Sequence, residues 1–138
     1  MRQATMGRLF NRKTQRARRP QRRTIEGLWV NPGEAFEVLD LRVGRVVRAE
    51  VNERARKPSL KLWIDFGTLG EKTSSAQLRA LYPPEELVGR LVIAAVNLGT
   101  RNIAGFTSEV LVLGVPSEAG EVVLLGTERE VPLGGRVY

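Results

Sequence analysis

The chain of 138 residues contains no cysteine and no histidine. Without thiols, disulfide cross-links and thiolate nucleophiles are excluded. Without imidazole, the usual general base, the usual metal ligand and the partner of Ser or Cys nucleophiles are all missing. Long hydrophobic runs are lacking too. The longest are Leu91–Val96 and Val110–Leu113, with Val115 just beyond. Both fall far short of the roughly 18 apolar residues that a membrane-spanning helix needs. With no secretory h-region visible, the expectation is no membrane span and a cytoplasmic location. Neither a metal-ligand cluster nor a Gly-rich phosphate loop is present. Glu85 and Glu86 do not make a catalytic carboxylate pair, because adjacent residues do not converge on one substrate atom; they suit a helix N-terminus. The expectation is therefore no enzyme, no catalytic residues, no metal and no cofactor.

What the chain does have is glycine, proline and unevenly placed positive charge. Its 14 Gly and 7 Pro, set among short apolar runs, favour many strands and tight turns in one domain with a tail. The overall formal charge of +7 is a poor guide to the body of the protein. Residues 1–24 carry nine Arg or Lys and no acid, a net of +9, which leaves residues 25–138 at −2. Any basic surface on the body must be local.

Residues 1–30 read as a basic disordered tail and residues 31–138 as the folded domain. MRQATMGRLFNRKTQRARRPQRRT has Leu9 and Phe10 as its main bulky apolar residues, too few to offset chain entropy. Three readings stand for it: a basic arm gripping phosphates, a transit peptide that lacks the usual Ser, and a start-site artefact with translation beginning at Val30 through a GTG codon. Order is expected near Asn31, which can cap a short helix with Pro32 in its first turn and Glu34 three residues on. Ala35 and Phe36 are expected to pack that turn against the barrel.

From Leu39 onward the apolar residues Leu41, Val43, Val47, Ala49 and Val51 alternate with Asp40, Arg42, Arg48 and Glu50. This period of two predicts a long strand, with Gly44-Arg45 letting it coil. Leu60, Leu62, Ile64 and Phe66 oppose Lys61, Trp63 and Asp65 in a second strand. Ala76–Tyr82 reads as two helical turns stopped by Pro83-Pro84, and Pro84–Val88 as a second short turn ending at Gly89. Further strands are expected at Leu91–Val96, Val110–Val115, Glu121–Leu125 and Glu130–Val137. An all-β, five-stranded Greek-key barrel with a short helix after its third strand and an added C-terminal hairpin fits this order: the OB-fold. An immunoglobulin-like sandwich fits less well, because the helix falls mid-chain and the first strand is too long.

Four segments can carry chemistry. Arg54, Arg56, Lys57 and Lys61 cluster about a turn stiffened by Pro58, either to grip phosphates or to keep a hairpin tip soluble. Trp63 shares the outward face of its strand with Lys61, where a ring either stacks an unpaired base or packs under the N-terminal turn or a second subunit. Ser74 or Ser75 is expected to cap the helix after Lys72-Thr73, with or without an anion at its free N–H groups. Asn97–Asn102 and Gly105–Glu109 are polar turns that can line one rim with the Ser pair.

Taken together, ARKPSLKLWIDFG, SSAQL, VNLGTRNIAGFTSEVLVLGVP and VVLLGTEREVPLGGRV resemble the CsaA family, a free-standing version of the tRNA-binding domain appended to methionyl-tRNA synthetases. The likeness runs from about Phe36 to Val137. It implies an OB-fold homodimer in which the C-terminal hairpin and N-terminal turn join the subunit contact. It also implies structure-directed tRNA binding and a chaperone role toward unfolded or preprotein polypeptides. Lys57, Lys61, Ser74, Ser75, Asn97, Arg101 and Ser108 match family positions on the nucleic-acid side. Thr73 departs from the family pattern, and the basic tail lies outside it.

Overall fold

The computed structural model describes residues 23–25 and 28–138. Of the described residues, those up to Leu39 together with Tyr138 form one compact unit and Asp40–Val137 another. In the first, β1 (Arg23–Ile25) pairs antiparallel with β2 (Leu28–Val30). Extended pairing thus reaches back past the boundary expected at Asn31; the remainder of the expected disordered tail, residues 1–22 and 26–27, lies outside the described residues. Helix α1 (Pro32–Val38) begins as its sequence predicts. Asn31 Oδ1 accepts the N–H of Gly33 at 3.0 Å and of Glu34 at 3.2 Å, and Pro32 sits where a missing N–H costs nothing. Ala35 and Phe36, expected to pack against the barrel, are both exposed.

The second unit holds β3 (Leu41–Val51), β4 (Leu60–Asp65), β5 (Glu71–Ala76), α2 (Pro84–Leu87) and β6 (Leu91–Ala95). There follow β7 (Arg101–Ile103), β8 (Phe106–Ser108), β9 (Leu111–Val112), β10 (Gly114–Pro116) and β11 (Val122–Leu124). Five strands form one antiparallel sheet in the order β5-β4-β3-β6-β9. It closes on itself where the N–H groups of Glu109 and Val110 both reach Thr73 O, at 2.8 and 3.1 Å. This is the expected OB-type barrel, with α2 after the third barrel strand; its added hairpin differs from the expected one, pairing Gly114–Pro116 with Val122–Leu124 instead of Glu121–Leu125 with Glu130–Val137.

Alternation in β4 decides which side of the barrel is which. Leu60, Leu62 and Ile64 are fully buried with Val46, Phe66, Leu87, Val92 and Ala94, while Lys61, Trp63 and Asp65 face out. Each fully buried aliphatic side chain contributes about 1.5–3 kcal/mol. The long strand β3 is more complicated than its odd-numbered pattern suggested. Leu41–Arg45 pair with β6 and Arg45–Val51 with β4, and the register shifts between Val46 and Arg48. That bulge turns Val47 outward and lets Val46 on one side and Ala49 on the other both face the core. Gly44 belongs to the inward set: a Cβ there would lie 2.6 Å from Ile64 Cγ2 and 2.7 Å from Phe66 Cε1. The glycine is present for close approach as much as for coiling.

Three expected elements differ. The helix over Ala76–Tyr82 is absent: Ala76 ends β5, and Leu78–Tyr82 make a turn closed by Leu81 and Tyr82 N–H groups on Leu78 O. Ser74 and Ser75 therefore lie within a strand and cap nothing. The strand expected at Val110–Val115 breaks in two, because Leu113 N–H still bonds Ile93 O while Gly114 begins pairing with Leu124. At Glu130–Val137 there is no regular strand; the Arg42–Arg136 bridge is flanked by backbone bonds from the N–H groups of Val43, Gly134 and Val137.

Candidate nucleic-acid interface

Because β4 buries its even-numbered residues, its odd ones share the barrel's outer surface with their cross-strand neighbours. The register sets Glu50, Lys61 and Ser75 in one row, and Arg48, Trp63 and Thr73 in the next. The β7–β8 hairpin extends both rows. Ser75 N–H donates to Ser108 Oγ at 2.9 Å, and Ser108 stands opposite Arg101 in the hairpin. Four expected site residues, Lys61, Ser75, Ser108 and Arg101, thus follow one another across a single face. Arg101 is exposed and free to reach a ligand.

The hairpin is held to β5 by Thr73. Thr73 N–H donates to Glu109 Oε1 at 2.9 Å, while its hydroxyl lies 2.6 Å from Thr107 O and 3.0 Å from the same carboxylate oxygen. At the other end, the basic loop 52–59 is fastened to the same hairpin. Buried Asn52 accepts the Arg54 N–H at 3.1 Å and donates from Nδ2 to Ile103 O at 3.5 Å. A Cβ on Gly105 would meet the Arg54 guanidinium at 2.9 Å. Arg56 and Lys57 on this loop are exposed.

The second row is aromatic and charged. The Arg48 guanidinium lies over the Trp63 ring, 4.1 Å from its centroid. Phe106 meets Trp63 edge-on at 5.4 Å, and Lys61 Nζ is 5.8 Å from the Phe106 centroid. Trp63 therefore packs against its own barrel's outer face. Glu50 accepts from Arg48 Nε at 2.8 Å, and its other oxygen lies 3.7 Å from Lys61 Nζ. The hydrogen bond from Arg48 holds the Glu50 carboxyl below its usual value, with the charges of Arg48 and Lys61 adding to it against a smaller desolvation effect.

Two expected residues stand apart. Ser74 points into the barrel with no exposed surface, and its hydroxyl has no hydrogen-bond partner. A macromolecule docking on the surface does not reach it, so Ser74 leaves the candidate set. One position of strand parity separates it from Ser75. Asn97 Oδ1 accepts the Asp40 N–H at 2.9 Å, fastening the start of β3, although its residue as a whole is exposed. Arg48 and Glu50 were read from sequence only as the outward face of a strand, and Thr73, Phe106 and Glu109 were given no contact to make; the strand register reveals them as neighbours of Lys61 and Ser75.

The family model for the tRNA binding domain matches residues 41–136. The chain belongs to that tRNA-binding domain family. Among solved structures, the chaperone CsaA of Bacillus anthracis is 50% identical with a TM-score of 0.73, covering 77% of this chain and 96% of that one. The CsaA chaperone of Picrophilus torridus is 39% identical with a TM-score of 0.72, covering 77% and 97%. The methionine–tRNA ligase of Deinococcus radiodurans is 37% identical over 102 residues, which is 74% of this chain. The chain spans about 15% of the length of that ligase. The matched segment of this tRNA-binding domain takes in every residue of the two rows and the loop 52–59.

Proposed function

We propose that the chain is a non-catalytic tRNA-binding protein that works as a homodimer in the cytoplasm and recognises the shape of its RNA. The observation that carries this reading is the continuous row Lys61–Ser75–Ser108–Arg101 on the outer barrel face, within the family-matched segment. Lys57, Lys61 and Arg101 contact phosphates; Ser75 and Ser108 offer hydroxyls to sugar or base edges; Asn97 contributes from a neighbouring loop. With few cations in the row, binding is moderate and weakens with salt. A two-fold dimer offers two such faces to one folded RNA and gains avidity. Leu111 and Val115, on the β9–β10 segment, remain 51% and 47% exposed and suit a subunit contact.

The test is a tRNA gel shift with the full chain carrying Lys61→Ala and Arg101→Ala. Marked weakening supports the barrel face; unchanged affinity assigns binding elsewhere, the basic tail included. Sedimentation of the wild-type chain tests the dimer.

A second reading, a chaperone for unfolded or preprotein polypeptides, draws on the likeness to the two CsaA chaperones. A cleft of about 620 Å³ beside β11, lined by Tyr82, Arg90, Leu124, Leu125 and Arg129 among others, is large enough for extended peptide. Calorimetric titration with unfolded polypeptide, alone and with tRNA present, separates the readings.

A further inference from the structure

The Trp63 ring carries on one face an unusual cover, a charged and largely exposed side chain. Arg48 is 59% exposed yet lies 4.1 Å from the ring centroid, near the separation at which a nucleobase stacks. Phe106 meets the ring at 69°, as an edge rather than a parallel plane, and so props it without occupying a stacking face in parallel. Arg48 is kept in place by Glu50, which also neighbours Lys61. The site is thus a flat aromatic ring with one cation parked on it by a carboxylate, and a second cation, Lys61, beside the adjoining Phe106 ring.

From this geometry we propose that Trp63 is the seat for one unstacked base of the bound RNA, that Arg48 vacates the seat to meet a phosphate, and that Glu50 sets how readily it leaves. The inference rests on the reading that this face binds RNA, and it adds base stacking, from the second row, to a face otherwise making phosphate contacts and hydrogen bonds. A cation over an exposed ring is held more weakly than a base stacked on one, so RNA can displace the guanidinium. The displaced Arg48 loses Glu50 as a partner and gains a phosphate, which has similar geometry for its planar fork. Phosphate alone has nothing to offer the ring. A bare polyanion draws Arg48 away but leaves the platform empty.

The chain has two tryptophans, so Trp29→Phe leaves Trp63 as the sole indole reporter. The full chain with that change is titrated with bulk tRNA and, in parallel, with inorganic polyphosphate, following indole emission and the anisotropy of labelled tRNA in the same samples. Expected is deep quenching by tRNA and little by polyphosphate. Trp63→Val should weaken tRNA binding roughly tenfold while Trp63→Phe, which keeps a ring, stays near wild type. Glu50→Gln should tighten binding about threefold by releasing Arg48. Quenching by tRNA no greater than by polyphosphate overturns the proposal, as does equal affinity of Trp63→Val and Trp63→Phe. If Lys61→Ala with Arg101→Ala leaves affinity intact, the face itself is not the RNA site and the underlying reading fails. If that pair weakens binding while Trp63→Val does not, only the base seat fails.

Discussion

Ser108 receives the backbone N–H of Ser75 on its hydroxyl at 2.9 Å and sits opposite Arg101 in its own hairpin. One side chain therefore links the sheet that carries Lys61 to the hairpin that carries the exposed arginine. Ser108 acts as a fastener whether or not it touches RNA.

Ser108→Ala leaves the Ser75 N–H without that acceptor, in a half-buried place. The expected cost is about 1–2 kcal/mol of folding stability, read as a lower urea midpoint with unchanged slope. Affinity for tRNA should fall as well, because the Arg101 hairpin loses its tie. Ser108→Thr keeps the hydroxyl and should recover most of both losses. Equal effects of Ala and Thr would show that the hydroxyl is not the tie.

Salt dependence separates phosphate contacts from fasteners. Lys61→Ala and Arg101→Ala should each lower the slope of log affinity against log salt by about 0.7–0.9, the contribution of one neutralised phosphate. Asn97→Ala removes the acceptor for Asp40 N–H. It should cost about 0.5–1.5 kcal/mol of stability while leaving the slope unchanged. A fall in slope for Asn97→Ala would contradict that assignment.

The sequence was legible where one rule acted alone. In β4, strict alternation of Leu60, Leu62 and Ile64 with Lys61, Trp63 and Asp65 fixed both faces, and Asn31-Pro32 announced α1. In β3 the same rule misled, because a bulge after Val46 exchanges the faces and no residue there marks it. Ser74 and Ser75 look alike in sequence, yet strand parity buries one and exposes the other, and their small polar character suggested a helix cap instead. The residues around Trp63 were out of reach for a different reason. Arg48, Glu50, Thr73, Phe106 and Glu109 come from three separate segments, and only sheet register brings them together.

Packing at Gly44 makes a second test of that register. A methyl group placed there would meet Ile64 Cγ2 at 2.6 Å and the Phe66 ring at 2.7 Å, so Gly44→Ala should destabilise by about 1–3 kcal/mol. Phe66→Leu alone should also destabilise, by opening space in a fully buried site. Combined, the two changes should cost less than the sum of their separate effects, because the smaller side chain relieves the clash. Simple additivity in thermal unfolding would mean that Gly44 does not face Phe66.

Glu50 gives the face a pH response. Its carboxyl is held below the ordinary value of 4.5, first by the hydrogen bond from Arg48 and then by the two positive charges, so it titrates lower in the folded chain than in the unfolded one. The sign follows: the stabilisation is complete above the unfolded value and is lost as pH falls from there through the folded one. A carbon-13 NMR titration should show the Glu50 carboxyl protonating below the usual carboxylate range. In Arg48→Met it should return toward 4.5. Lys61→Met should move it less, since the Lys61 contact is the longer at 3.7 Å. Equal shifts in the two variants would mean that long-range charge, rather than the Arg48 hydrogen bond, governs this carboxylate.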